Sequence, residues 1–144
     1  MNVVYIDSSA FAKLYLDENV KEQATVLEIL ERFERVACCS ITFAEVSGVF
    51  ARYFHEGKLG EEEYTEKLYL FSSDWETVEY VDLLQDLSVL VSQLTKAHSG
   101  LCAMDALHLA TALTLRADEP EPIHFLTFDG HLQRIAQTLM PDAF

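Results

Sequence analysis

Four acidic residues stand where they could do chemistry together: Asp7, Glu45, Asp105 and Asp129. The segment 103–113 around Asp105 is small or apolar at nearly every other position, which predicts a helix buried on most of its faces. A carboxylate in such a helix costs free energy unless it is paired, hydrogen-bonded or bound to a cation. No basic residue lies three or four positions away, so the only local candidate for a partner is His108. The simpler interpretation of His108 is a buried histidine that has hydrogen-bond partners in the core.

The other three acids each have an ordinary structural explanation. Asp7 follows an apolar run and could cap the helix that begins at residue 8. Glu45 is the last residue of a Thr-x-x-Glu capping-box pattern, and Asp129 begins an Asp-Gly turn. Taken singly, each acid is explained as well by capping as by function.

Short apolar runs separated by helical patterns predict the secondary structure that positions these acids. We predict strands at 1–6, 36–41, 77–81 and 123–128. Strands that alternate with helices pair in parallel through right-handed crossovers, so their carboxyl ends lie at one edge of the sheet. The sequence therefore predicts an α/β fold.

The predicted topology brings the acids together. Asp7, Glu45 and Asp129 each follow a strand, at the edge where open α/β sheets bind ligands. Asp105 can reach that edge only if the N-terminus of its helix points there. Carboxylates that share a pocket repel one another unless some are protonated or a hard cation lies among them. Such a cluster suits Mg²⁺ or Mn²⁺, which activate water and bind the phosphodiester in hydrolysis.

Length and composition limit the class of protein. A chain of 144 residues fits one domain, 1–144, without a membrane span. Its N-terminus lacks a signal-peptide pattern, and its three cysteines have no metal-ligand spacing, so we expect reduced thiols and a cytoplasmic protein. With 10 basic and 24 acidic residues, the net charge of −14 should repel nucleic acid on charge alone.

Four segments resemble the PIN-domain nucleases, and among them the VapC-type toxins of toxin–antitoxin pairs. The segments are YIDSSA at 5–10, TFAEV at 42–46, DALHLATA at 105–112 and LTFD at 126–129. Their order and spacing span nearly the whole chain. The resemblance implies a three-layer α/β/α sandwich with a mostly parallel central sheet of four or five strands.

The resemblance also implies a function and a set of site residues. It implies a Mg²⁺- or Mn²⁺-dependent endoribonuclease that forms a homodimer and is inhibited by a small antitoxin. Its acidic, metal-binding site corresponds to Asp7, Glu45, Asp105 and Asp129. Ser9 and Thr127 correspond to hydroxyls that orient the carboxylates or a metal-bound water.

The chain departs from this family in two respects. Relatives often carry basic residues at five positions where this chain has Ser40, Ser47, Cys102, Gly130 and His131. The usual last strand is missing or reduced to 142–144. The first departure leaves open an inactive relative that keeps its acidic pocket for binding protein or metal.

Two other classes of protein also begin with a strand and an aspartate. Aspartyl-phosphate phosphatases use Asp-x-Asp, whereas the third position here is Ser9. Receiver domains place a lysine near their phosphorylated aspartate, and no lysine follows the fourth predicted strand. The metal-dependent ribonuclease therefore remains the first interpretation.

Overall fold

The computed structural model describes residues 2–81 and 85–144. Four strands, β1 to β4, span Val3–Ile6, Arg35–Cys39, Glu79–Val81 and His124–Leu126 within this part of the chain. The same described residues contain seven α-helices, α1 to α7, which span Ser8–Lys13, Val20–Leu30, Thr42–His55, Glu61–Trp75, Gln85–Ala97, Ala103–Asp118 and Gly130–Leu139. The predicted start of the first strand at Met1, and that of the fifth helix at Leu83, lie outside the described residues. No described helix is long and apolar enough to cross a membrane.

The four strands form one parallel sheet in the order β3-β2-β1-β4. Tyr5, on the central strand β1, pairs with Ala37 of β2 and Phe125 of β4. The prediction of an α/β fold with a mostly parallel sheet is confirmed. A fifth strand is absent from the described residues, and Pro141–Ala143 forms a short 3-10 helix where the last strand was expected to be reduced.

Helices cover both faces of the sheet, so every residue of β1 is buried. Val3 and Tyr5 face the core formed with α5, α6 and α7. Val4 and Ile6 face the opposite core, formed with α1 to α4. A parallel strand that is buried on both faces has apolar residues throughout. The sequence of β1 therefore shows no alternation of apolar and polar residues. The two cores and the sheet make the three layers that the family resemblance implied.

Several elements end earlier than their apolar patterns predicted. The first helix was expected to reach Leu16 but ends at Lys13, after which the Leu14 and Tyr15 amides bond to carbonyls three residues back. The second was expected to reach Arg35, but Arg35 begins β2 because its backbone pairs with β1. Its guanidinium also bonds to Glu79 on β3. Sheet pairing therefore overrides local helical periodicity at this boundary.

Helix α6 is less buried at its start than the sequence predicted. It runs to Asp118, and its residues 108–112 are all buried. Ala103 is exposed, however, and Asp105 is only partly buried in the first turn. The prediction of a helix buried on most of its faces therefore holds for residues 108–112 but not for the first turn, which carries Asp105. The acid lies at the rim because the N-terminus of α6 reaches the carboxyl edge of the sheet.

Candidate functional site

Asp7 is the most enclosed acid at the carboxyl edge, with 3 % of its surface exposed. Its Oδ1 accepts hydrogen bonds from the Ser9 hydroxyl at 2.7 Å and the Ala10 amide at 3.0 Å, and its Oδ2 accepts one from the Thr127 hydroxyl at 2.5 Å. Burial raises the pKa of the Asp7 carboxyl, and the bonds from Thr127 and Ala10 lower it in part. Asp7 does cap α1, as its structural explanation required, but it is also held by β4.

Two hydroxyls connect Asp7 to the chain that follows β4. The Ser9 hydroxyl accepts from the Phe128 amide at 3.0 Å, and the Thr127 hydroxyl accepts from the Asp129 amide at 3.0 Å. Each hydroxyl therefore donates to one carboxylate and accepts from one backbone amide. This geometry supports the expected role of Ser9 and Thr127 in orienting Asp7, and that role stays a prediction.

Asp129 caps α7 from the end of the same loop. Its Oδ1 accepts from the His131 and Leu132 amides, both at 3.0 Å. This cap starts the helix at Gly130, two residues before the start at Leu132 that its apolar pattern predicted. Oδ2 has no hydrogen-bond partner among the described residues, so the carboxylate is held by one oxygen and is free at the other.

Asp105 approaches these acids from α6. Partial burial raises the pKa of its carboxyl, and the negative charges of Asp129 and Glu45 raise it further. The Cys102 thiol opposes this shift through a hydrogen bond. Asp105 makes no hydrogen bond to His108 among the described residues, since both ring nitrogens of His108 bond elsewhere. It lies within electrostatic reach of His108 and of two other acids.

Glu45 does not serve as a helix cap. The N-cap of α3 is Ile41, which makes no side-chain cap bond, so the Thr-x-x-Glu capping box does not form. Glu45 Oε1 instead lies 2.6 Å from Nε2 of His108, and Nδ1 of the same ring lies 2.8 Å from the Tyr5 hydroxyl. The ordinary explanation of Glu45 is wrong, and His108 is a buried histidine with partners on both ring nitrogens.

A cleft of about 340 Å³ opens at this edge and is lined by Asp7, Ser9, Asp105 and Asp129. Glu45 and Thr127 are not part of its lining. Thr127 lies behind Asp7, and Glu45 lies close enough to Asp105 to raise the pKa of that carboxyl. The structure therefore brings three of the four predicted acids into one cleft and places the fourth beside it.

The donor set suits a hard divalent cation in type, because the acids that converge here supply oxygen donors only. Asp129 and Glu45 each keep one carboxylate oxygen free of hydrogen bonds among the described residues. Yet no group of three or more His, Cys, Asp or Glu side chains in residues 2–81 and 85–144 is placed so that it could hold a metal ion. Binding a cation would therefore require these side chains to move closer together.

Two basic residues in the cleft were missed by the sequence interpretation. Lys13 and Arg52 line it together with the acids. Lys13 is paired with Glu22 at 2.6 Å, whereas Arg52 is 3.9 Å from Glu56 and its side chain is 61 % exposed. Spacing could have revealed both, because Lys13 follows Ser9 by four residues on α1 and Arg52 follows Glu45 by seven on α3.

Fold and site together define a parallel α/β domain with a carboxylate-lined cleft at the carboxyl edge of its sheet. The family model of the PIN domain matches residues 4–137. The chain belongs to the PIN-domain family, as its four sequence segments predicted.

A solved structure shares this fold over most of both chains. It is VapC20 of Mycobacterium tuberculosis, described as a toxin that cleaves the sarcin–ricin loop. The two chains are 15 % identical, the TM-score is 0.67, and the match covers 92 % of this chain and 94 % of VapC20. At this identity the likeness concerns the fold. No curated protein sequence matches the chain.

The raised pKa of Asp105 predicts a pH-dependent effect of Asp105→Asn in the presence of a chelator. The folded-state pKa lies above that of the unfolded chain, so the ionised form is the one that the fold disfavours. At about pH 7, Asp105→Asn should raise the free energy of unfolding by up to about 1 kcal/mol, allowing for solvent screening. This advantage should shrink as the pH falls toward about 4.

Urea unfolding at several pH values measures this difference. Glu62→Gln is the matched control, because Glu62 is an exposed acid in the first turn of α4, outside the cleft. It tests the effect of removing a charge from a helix N-terminus, which is expected to be slightly destabilising. A neutral-pH loss of stability in Asp105→Asn equal to that in Glu62→Gln would show that Asp105 experiences no repulsion from its neighbours.

Proposed function

We propose that this protein is a metal-dependent endoribonuclease that hydrolyses RNA phosphodiester bonds. The observation that carries the proposal is that Asp7, Asp105 and Asp129 line one cleft at the carboxyl edge of a PIN-domain sheet. Capping explains two of these acids individually but does not explain Asp105, which caps nothing and lies against like charge. A cleft that concentrates carboxylates in this way is suited to a cation and to a phosphate bound through it.

Asp7, Asp105 and Asp129 would hold Mg²⁺ or Mn²⁺ in this cleft, and Glu45 would contact it directly or through water. A bound cation would supply charge neutralisation at the phosphate and activation of a water molecule. Ser9 and Thr127 keep both Asp7 oxygens in fixed positions, so that this ligand does not have to be ordered when the cation binds.

The reaction adds water across the P–O3′ bond of the RNA backbone. The water oxygen forms the new bond to phosphorus, the P–O3′ bond breaks, and the departing oxygen takes a proton. The products are a 5′-phosphate and a 3′-hydroxyl. In this proposal Glu45 would act on the water; one of its oxygens is held by His108, and the other has no partner among the described residues.

Lys13 and Arg52 give the cleft a means of contacting the RNA backbone despite the net charge of −14. Arg52 is the more available of the two, since its side chain is mostly exposed and its nearest acid is 3.9 Å away. A guanidinium binds phosphate oxygens with two parallel hydrogen bonds. These two residues partly compensate for the basic residues that relatives carry at five other positions and that this chain lacks.

One observation favours a second function, that of a PIN-like binding module with little or no catalysis. No three acids in the described residues are placed so that they could hold a metal ion. If the side chains cannot move closer together, the cleft would bind a basic protein segment or a weakly held cation without cleaving RNA.

Cleavage assays distinguish the two functions. We expect the purified protein to cut single-stranded or looped RNA with Mg²⁺ or Mn²⁺ and not with EDTA, leaving 5′-phosphate ends. Asp105→Asn should lower the rate by at least about 100-fold, because the loss of a cation ligand affects both the water and the phosphate. Equal cleavage by the wild type and Asp105→Asn, or cleavage that persists in EDTA, would refute the metal-dependent mechanism.

Arg52→Gln should weaken RNA binding and reduce its dependence on salt. Each phosphate contact to a single strand contributes about 0.7 to the slope of log affinity against log salt concentration, so the slope should fall by about that amount. Arg32→Gln is the matched control, because Arg32 is an exposed arginine paired with Glu28 outside the cleft. Fluorescence anisotropy with a short RNA measures both variants, and equal slopes would remove Arg52 from the RNA-binding surface.

We propose that the biological role is that of a VapC-type toxin, with a small cognate antitoxin and a homodimeric state. The fold shared with VapC20 supports this role, since VapC20 is described as a toxin that cleaves the sarcin–ricin loop. The carboxylates of the cleft support a basic antitoxin segment as a partner, because a guanidinium can occupy a site built for a cation. A monomer mass by analytical ultracentrifugation at micromolar concentration would contradict the homodimer.

An antitoxin segment that carries an arginine should compete with Mn²⁺ for the cleft. Titration of the segment into protein with and without saturating Mn²⁺ measures the coupling by calorimetry, and each ligand should weaken the other by the same factor. Replacement of the segment's arginine by glutamine is the control and should abolish the competition. Simultaneous binding without mutual weakening would place the antitoxin elsewhere.

A further inference from the structure

We infer that Tyr5 and His108 are positioning residues that hold Glu45 beside the acidic cleft with one carboxylate oxygen free. The inference rests on the proposed nuclease function and deepens it. It assigns two buried residues that take part in neither the cleft nor the set of predicted ligands. Its physical basis is a continuous chain of hydrogen bonds from β1 through α6 to α3.

The chain of hydrogen bonds is short and enclosed. Tyr5 Oη lies 2.8 Å from His108 Nδ1, and His108 Nε2 lies 2.6 Å from Glu45 Oε1. Tyr5 is completely buried, and the His108 side chain is 2 % exposed, whereas that of Glu45 is 23 % exposed. The hydrogen bonds therefore connect Tyr5, a fully buried core residue, to Glu45, a partly exposed side chain beside the cleft.

The burial of Tyr5 decides which nitrogen of His108 carries the hydrogen. His108 Nδ1 is the only hydrogen-bond partner of the Tyr5 hydroxyl among the described residues. If Nδ1 carried a hydrogen, the ring would donate to Tyr5, and the buried phenolic hydrogen would have no acceptor. Tyr5 must therefore donate to Nδ1, which puts the ring hydrogen on Nε2, where it is donated to the Glu45 carboxylate.

This hydrogen position agrees with the chemistry of Tyr5 and of Glu45, the two residues at the ends of the hydrogen-bond chain. A phenol keeps its hydrogen at neutral pH, so Tyr5 is available as a donor. Glu45 accepts as a carboxylate, the form that a cation ligand requires. Because α3 and α6 cover opposite faces of the sheet, the bond between Glu45 and His108 also joins the two helical layers at the carboxyl edge.

The arrangement leaves Glu45 restricted at one oxygen and available at the other. An acid on an exposed helical surface would sample several rotamers, and its order would have to be gained when a cation bound. The hydrogen bond from His108 confers that order in advance, as groups bonded to metal ligands commonly do. Tyr5 acts one step further back, since it selects the histidine tautomer that can donate.

The first test is the tautomer, which nuclear magnetic resonance reports without any assay of activity. The ¹⁵N shifts of the His108 ring in the wild type should show a protonated Nε2 and an unprotonated Nδ1. Tyr5→Phe keeps the ring, which stacks on Phe125, and removes only the donor. In this variant Nδ1–H should become populated. A wild-type ring with its hydrogen on Nδ1, or an unchanged single tautomer in Tyr5→Phe, would overturn the inference.

The second test is Mn²⁺ affinity, measured by calorimetry without RNA. His108→Leu should weaken Mn²⁺ binding about 10- to 100-fold, and His108→Gln, whose amide can still donate to Glu45, should restore most of the affinity. Thr111→Val is the matched control, because Thr111 is equally buried on α6 and, within the described residues, its hydroxyl bonds only to the backbone of Leu107. If His108→Leu does not fold, Tyr5→Phe provides the comparison and should weaken binding several-fold.

The outcomes separate this inference from the proposed function. A wild type that binds Mn²⁺ and cuts RNA, with unchanged Mn²⁺ affinity in folded His108→Leu and in Tyr5→Phe, would overturn the positioning role and leave the nuclease standing. Equal losses in His108→Leu and His108→Gln would do the same, since they would reflect packing rather than donation. A wild type that neither binds Mn²⁺ nor cuts RNA would overturn both.

Discussion

The hydrogen bonds around the Asp7 carboxylate hold the acidic edge of this protein together. Asp7 follows β1 and caps α1 through its Oδ1, and its Oδ2 accepts a hydrogen bond from Thr127, which follows β4. Moving a carboxylate out of water costs several kcal/mol, and each hydrogen bond to a charged group returns about 1.5–3 kcal/mol. Three such bonds oppose the cost, and burial nevertheless raises the pKa of Asp7. The charge is tolerated because the loops around it are arranged to supply donors.

The same donors determine where the other site residues lie. Thr127 and Ser9 also accept from the backbone amides of Asp129 and Phe128, so the loop after β4 is held against β1. That loop delivers Asp129 to the cleft and starts α7. The buried carboxylate of Asp7 thus orders the loop that carries Asp129, whose side chain is partly exposed. Asp105 arrives independently, through the packing of α6 on the sheet.

Charge is distributed unevenly in this acidic chain. Most described basic side chains are paired with acids on the surface, as in the bond of Arg35 to Glu79 and that of Arg116 to Asp142. Lys13 and Arg52 also have acidic partners, but they line the cleft that contains Asp7, Asp105 and Asp129. The total of −14 therefore describes the field far from the protein, whereas the local field at the cleft combines carboxylates with two basic groups.

The sequence by itself determined the parallel α/β fold, the family, and the convergence of Asp7 and Asp129, whereas the place of Asp105 depended on how α6 packs. It could do so because strand ends in a parallel sheet share one edge, and that rule needs only the order of the elements. It could not decide between capping and function for Asp7 and Asp129, because both roles apply to the same side chain. It left Glu45 open between a capping box and the acidic site, because a capping box depends on where the helix starts, and α3 starts from Ile41. Only the tertiary structure could reveal the bond between Tyr5 and His108, since those residues are 103 positions apart and meet only when α6 packs on β1.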